Sequence, residues 1–149
     1  MFRPRIIPVL LLKGAGLVKS IRFKDHRCIG DPINAVRIFN DHSADEIVIL
    51  DINASSEGRG IDMSIVREVG EEANMPFSVG GGIRDLHQIE ALLNAGTEKV
   101  ILNTHVIENT AFIQAASDAF GSSTIVVCVD VKKIYGVTIA SIRTKRKNC

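Results

Sequence analysis

Residues 77–104 read FSVGGGIRDLHQIEALLNAGTEKVILNT. Phe77-Ser78-Val79 is a short strand candidate that runs into Gly80-Gly81-Gly82. Asp85 with Gln88 has the spacing of a capping box, in which an acceptor at the helix start is answered three residues later by an amide side chain. Leu86, Ile89 and Leu93 then give one apolar stripe, and Gly96 suits the stop. Val100-Ile101-Leu102 is apolar on both faces, as a strand covered from both sides must be, and it runs into Asn103-Thr104. Strand, helix and strand follow one another with no room for anything else.

The same alternation repeats on both sides of this stretch. Ile47 to Leu50 is a buried-strand candidate ending in Asp51, and Ile61, Ile65, Val69 and Ala73 mark a helix at four-residue spacing. Before them, Ile6 to Leu12 is the first strand, and Asp31-Pro32 opens a helix carrying Ile33, Val36 and Phe39. Beyond the opening stretch, a helix around Thr110 to Phe120 stops at Gly121, and Ile125 to Val129 forms a fifth strand closed by Asp130. Four βα units and a fifth strand, apolar on both faces, require a parallel sheet covered by helices. An open doubly wound sheet and a barrel both fit that order. Asp51, Asn53, Gly80 to Gly82, Asn103, Thr104 and Asp130 all fall where strands end. A barrel gathers such ends at one mouth, whereas an open sheet uses only its switch point. The expected class is therefore α/β, a (β/α)8 barrel.

Composition narrows the function. The formal charge of the 149 residues is +1, from 18 basic and 17 acidic side chains, which argues against nucleic-acid binding through bulk charge. No apolar run approaches a membrane span, and none resembles a signal peptide. Cys28, Cys128 and Cys149 have neither metal-ligand nor redox spacing, so reduced thiols in a cytoplasmic protein are expected, with no metal and no cofactor.

Arg5-Ile6-Ile7-Pro8, Leu50-Asp51-Ile52, Val79 to Arg84, Asn103-Thr104 and Val129-Asp130 stand in an order and spacing that resembles the cyclase subunit of imidazole glycerol phosphate synthase. The resemblance covers about the first 131 residues. It implies a barrel that takes ammonia from a glutaminase partner and acts on a ribonucleotide carrying a phosphate at each end, in histidine biosynthesis. Gly81, Gly82, Asn103 and Thr104 match one phosphate site. Backbone without Cβ atoms lets N–H groups converge on an anion, although the same glycines also suit a tight strand-to-helix turn with no ligand. Lys19, in the loop after the first strand, matches a lysine beside the substrate; as a residue type it is more often simply solvated.

The family's acid–base pair is two aspartates, after the first and fifth strands. Asp130 matches the second, but Leu11 occupies the first position, and an isobutyl group moves no protons. Arg5, Glu46 and Lys99 each precede an apolar strand and match a salt-bridged gate for ammonia, with Glu98 on the docking surface; singly, such charges are usually solvated edges.

Keeping the ammonia entry while losing one acid resembles a paralogous branch linked to amidination of surface-polysaccharide sugars, in which ammonia passes to a separate sugar amidotransferase. Leu10 to Lys13, Leu17 to Lys19, Phe23-Lys24 and Gly30 to Ala35 also look like that branch. The competing readings are a histidine-pathway lyase fragment, a sister-barrel isomerase, and a non-catalytic remnant that binds phosphate or a partner. A full barrel takes about 250 residues. Residues 1–131 are accordingly expected to be the N-terminal part of a barrel. Residues 132–149, ending in a polar basic stretch, are expected to be a divergent tail left by a frameshift or early stop. Alone, such a chain is expected to be inactive, with strands one and five as open edges prone to self-association.

Overall fold

The computed structural model describes residues 3–21, 24–134 and 137–140. A strand β1 (Val9–Lys13) turns back into a hairpin of β2 (Gly16–Ile21) and β3 (Lys24–Gly30), followed by α1 (Pro32–Asp41) and β4 (Ile47–Asp51). A short α2 (Ala54–Glu57) precedes α3 (Met63–Glu72), β5 (Phe77–Gly80), α4 (Leu86–Asn94) and β6 (Lys99–Leu102). Then come α5 (Thr104–Glu108), α6 (Ala111–Phe120), β7 (Ile125–Val127) and a separate hairpin of β8 (Val131–Ile134) and β9 (Val137–Ala140).

The main sheet runs β3-β2-β1-β4-β5-β6-β7. Its β1, β4, β5, β6 and β7 are parallel neighbours, the first five strands of a (β/α)8 barrel. Three helices start on an aspartate cap, although α3 begins after Ile61 and ends before Ala73, which the spacing had placed within it, and α6 begins after Thr110 with no side-chain cap. Asp31 accepts from the Asn34 N–H at 2.8 Å, Asp62 from Ser64 at 2.9 Å and Asp85 from Gln88 at 2.8 Å. The Gln88 side-chain oxygen reaches one residue further back than a capping box requires, accepting from the Arg84 N–H at 2.7 Å.

Alternation along the strands sorts the sheet into two faces. Leu12, Ile47, Ile49, Phe77, Val79, Val100 and Leu102 join Val36, Val66, Val69, Ile89, Leu92 and Ala116 of the helices in one core. Each full burial of such a side chain contributes roughly 1.5–3 kcal/mol. The other face carries Val9, Leu11, Val48, Leu50, Ser78, Ile101 and Val126, outside that core apart from the sheet itself; Val9 and Val126 are exposed. This is the inward face of the barrel.

Four expectations change. The first strand starts at Val9, after Pro8, which has no N–H to give a ladder, although Val48 N–H still reaches the Pro8 carbonyl at 2.9 Å. The stretch expected as a loop after it is the β2–β3 hairpin, so Lys19 lies on a strand. That hairpin pairs with β1 from Leu11↔Val18 to Lys13↔Gly16, so β1 is not an open edge; the outer strand is β3, bulged and with Asp25 at φ 50°, which blunts further pairing. The fifth strand ends at Val127, two residues early, although Cys128 N–H still bonds the Leu102 carbonyl at 2.8 Å. Phe23 and the basic end from Thr144 to Cys149 lie outside the described residues.

Candidate functional site

At the C-terminal ends of the parallel strands, Gly81 has φ 139° and Gly82 has φ 66°. Both also lie against other backbone. A Cβ on Gly81 would meet Asp51 Cβ at 2.8 Å and its carbonyl oxygen at 2.9 Å, and one on Gly82 would overlap the Arg59 carbonyl. The glycines are thus required by the chain between β4 and α3, which crosses directly over them. Ile61 N–H bonds the Gly81 carbonyl at 3.1 Å, while the N–H groups of Gly82 and Ile83 donate to no acceptor among the described residues. A turn whose carbonyl is occupied and whose N–H groups have no acceptor among the described residues can receive an anion.

On the next strand end, Asn103 precedes α5 without capping it. Its side-chain N–H donates instead to Asp130 Oδ2 at 3.2 Å, so two residues singled out by the sequence meet here. Thr104, half-buried, follows directly. Cys128 sits two residues before Asp130; burial first, and then the Asp130 charge, push its thiol up. Leu11 pairs with Leu50 across β1 and β4 and with Val18 across the hairpin, half-buried among apolar neighbours. Lys19 does not join this group. Val18 shares the face of Leu11, so alternation along β2 puts exposed Lys19 on the other face, beside Arg27 in register, and it makes no side-chain bond among the described residues.

Asp51 is buried and fully committed. Its Oδ1 accepts from the N–H groups of Asn53 at 2.9 Å and Ala54 at 3.0 Å, and its Oδ2 from Arg59 at 2.6 Å. Arg59 also bonds Glu57 at 2.7 Å and the Gly60 carbonyl at 3.0 Å. Hydrogen bonds to Asp51 and then Glu57 hold its guanidinium above its ordinary value. Sequence reasoning missed Arg59; its signal was a lone cation between Gly58 and Gly60.

At the opposite strand ends, Glu46 is buried, its side chain 6% exposed. Its Oε2 accepts from Arg5 at 2.8 Å and Lys99 at 3.1 Å, and its Oε1 from the Ser78 hydroxyl at 2.5 Å. Lys99 also donates to Glu98 at 2.9 Å. The four charged residues proposed from sequence therefore form one connected cluster. Ser78 joins it unforeseen, although a serine between Phe77 and Val79 was a signal. Burial alone pushes the Glu46 carboxyl up; the bonds from Ser78 and Lys99 and the charges of Lys99 and Arg5 outweigh it and leave it below its ordinary value. The bond to Glu98 raises Lys99 against the cost of burial, helped by Glu46. No helix among the described residues is long and apolar enough to cross a membrane.

The family model described as "Histidine biosynthesis protein" matches residues 5–148. A Helicobacter hepaticus protein named imidazole glycerol phosphate synthase subunit HisF is 48% identical over 130 residues, covering 87% of this chain and 52% of its own length. Proteins given the same subunit name provisionally, from Leptospira borgpetersenii and (as hisF3) Vibrio vulnificus, are 49% and 46% identical over 133 residues. Each of those matches covers 89% of this chain and respectively 52% and 51% of the relative. The chain spans about half the length of the curated relatives it matches.

Proposed function

The chain belongs to the histidine biosynthesis protein family, and from that premise we propose that it is an ammonia-transferring synthase subunit which binds a phosphorylated small molecule but does not cyclise it. The observation that carries this reading is the carboxylate count at the mouth. Asp130 faces the site with Asn103, its expected partner position is Leu11, and Asp51 cannot substitute because both its oxygens are bound. General acid–base work by a positioned pair contributes about 10²–10⁴-fold, and a single carboxylate with an isobutyl group at the other position forfeits it.

At the other end, the cluster of Arg5, Glu46, Lys99 and Glu98 is the proposed ammonia entry, where a glutaminase partner docks. Ammonia crossing the inward face meets apolar Val48, Leu50 and Leu11, which neither protonate nor trap it. Its destination is a separate sugar amidotransferase in a cytoplasmic pathway of polysaccharide modification. These roles are drawn from the resemblance and from the names of relatives that are about twice this chain's length.

The test supplies ammonium and the doubly phosphorylated ribonucleotide to the wild-type chain and to Leu11→Asp, each with the glutaminase omitted. The expected result is no imidazole product from the wild type. Product formed by the wild type would overturn the reading in favour of a histidine-pathway lyase.

A further inference from the structure

Residues 54–61 fold over the glycine turn, placing the Arg59 carbonyl oxygen where a Gly82 Cβ would otherwise stand, with the Ala54 carbonyl carbon 3.1 Å from that position. Arg59 is tied on both sides of this crossing. Its N–H bonds the Ala54 carbonyl at 3.1 Å, and its side chain grips Asp51 at 2.6 Å, Glu57 at 2.7 Å and the Gly60 carbonyl at 3.0 Å. Asp51 in turn pins the start of the crossing through Asn53 and Ala54, and Ile61 closes it on Gly81. The Asp51 side chain is 3% exposed and that of Arg59 38%, so the brace is rooted in the core and reaches the mouth.

We infer that the Asp51–Arg59 pair is a positioning device: it sets the direction of the Gly82 and Ile83 N–H groups, and so the affinity of the mouth for phosphate. This rests on the phosphate reading given above. Two features separate it from direct ligation by Arg59. The guanidinium's Nε and one terminal nitrogen are already spent within the protein, and the part of Arg59 that touches Gly82 is its carbonyl, which repels an anion rather than binding it. Arg59 therefore acts through the turn. The planar fork is what allows one side chain to bond Asp51 and Glu57 together, which an ammonium on a flexible stem does poorly.

The experiment follows backbone amide signals of the ¹⁵N-labelled full chain during titration with inorganic phosphate. In the wild type, Gly82, Ile83 and Thr104 shift saturably. In Asp51→Asn, which keeps an oxygen for the Asn53 and Ala54 N–H groups but turns an amide toward Arg59, the Gly82 and Ile83 signals are displaced before phosphate is added. Phosphate affinity there falls about tenfold, the loss expected when one hydrogen bond to a charged ligand is misaligned. Arg59→Gln behaves likewise, and Arg59→Lys recovers little. Unchanged affinity in both Asp51→Asn and Arg59→Gln, with the wild type binding, overturns the brace and leaves the phosphate reading standing. Affinity lost in Arg59→Gln but kept or raised in Asp51→Asn makes Arg59 a direct ligand and also overturns it. No shift at these amides in the wild type overturns the phosphate reading itself, and the inference falls with it.

Discussion

Replacing Lys99 by Met keeps the length of the stem and removes only the charged head. Glu46 would then keep Arg5 at 2.8 Å and Ser78 at 2.5 Å, its side chain still 6% exposed. Breaking a fully buried pair costs about 3–5 kcal/mol, and a hydrogen bond to a charged group is worth about 1.5–3 kcal/mol. Two surviving donors mean the carboxylate is not orphaned, and the Lys99 side chain is 22% exposed, so the lower range applies: about 1.5–3 kcal/mol. For a chain of this size that is roughly 5–10 °C in Tm.

The pH dependence has a definite sign. A carboxyl held below its ordinary value stabilises the fold above its unfolded pKa and loses that contribution as pH falls through its folded one. Lys99→Met removes part of what holds Glu46 down, so the acid limb of the stability curve moves to higher pH; Glu46→Gln flattens it. Urea denaturation followed by circular dichroism at several pH values measures both. A loss below about 0.5 kcal/mol with no movement of the acid limb would refute the reasoning, because that is the behaviour of a solvated surface pair. Glu46→Leu with Lys99→Met is expected to recover part of the loss, since an apolar pair can replace a buried ion pair.

Two further outcomes follow from local geometry. Gly82→Ala sets a Cβ at φ 66° against the Arg59 carbonyl and should cost about 2–4 kcal/mol by the same denaturation assay, the sum of a left-handed penalty and forced backbone movement. Asp85→Ala removes the bond to the Gln88 N–H and should cost about 1 kcal/mol; a neutral result would mean water replaces the cap.

Much of this was legible because the signals are local. The helix starts at Asp31 and Asp85 and the apolar strands at Ile47 and Val100 depend on near neighbours in sequence. The barrel reading rested on polar strand ends; Asn103 and Asp130 meet because β6 and β7 are neighbours, as they would in either closure. What escaped depends on distant partners. The β2–β3 hairpin carries bulges that break period-two alternation, so its strands did not announce themselves; Lys19, next to Val18 in β2, falls on the face away from Leu11. Arg59 and Ser78 gain meaning only when Asp51 and Glu46 arrive beside them. The glycine run was read for its N–H groups; its demand for close backbone approach came from a segment more than twenty residues earlier.

In the function proposed above, the Arg5, Glu46, Lys99 and Glu98 end receives a glutaminase. The most direct measurement mixes the folded chain with the glutaminase subunit of an imidazole glycerol phosphate synthase and follows sedimentation and glutamate release together. A complex with equal numbers of the two chains is expected, weakened by Glu98→Lys, with glutamine hydrolysis raised on association. A chain that is folded by circular dichroism yet forms no complex and leaves hydrolysis unchanged would contradict it.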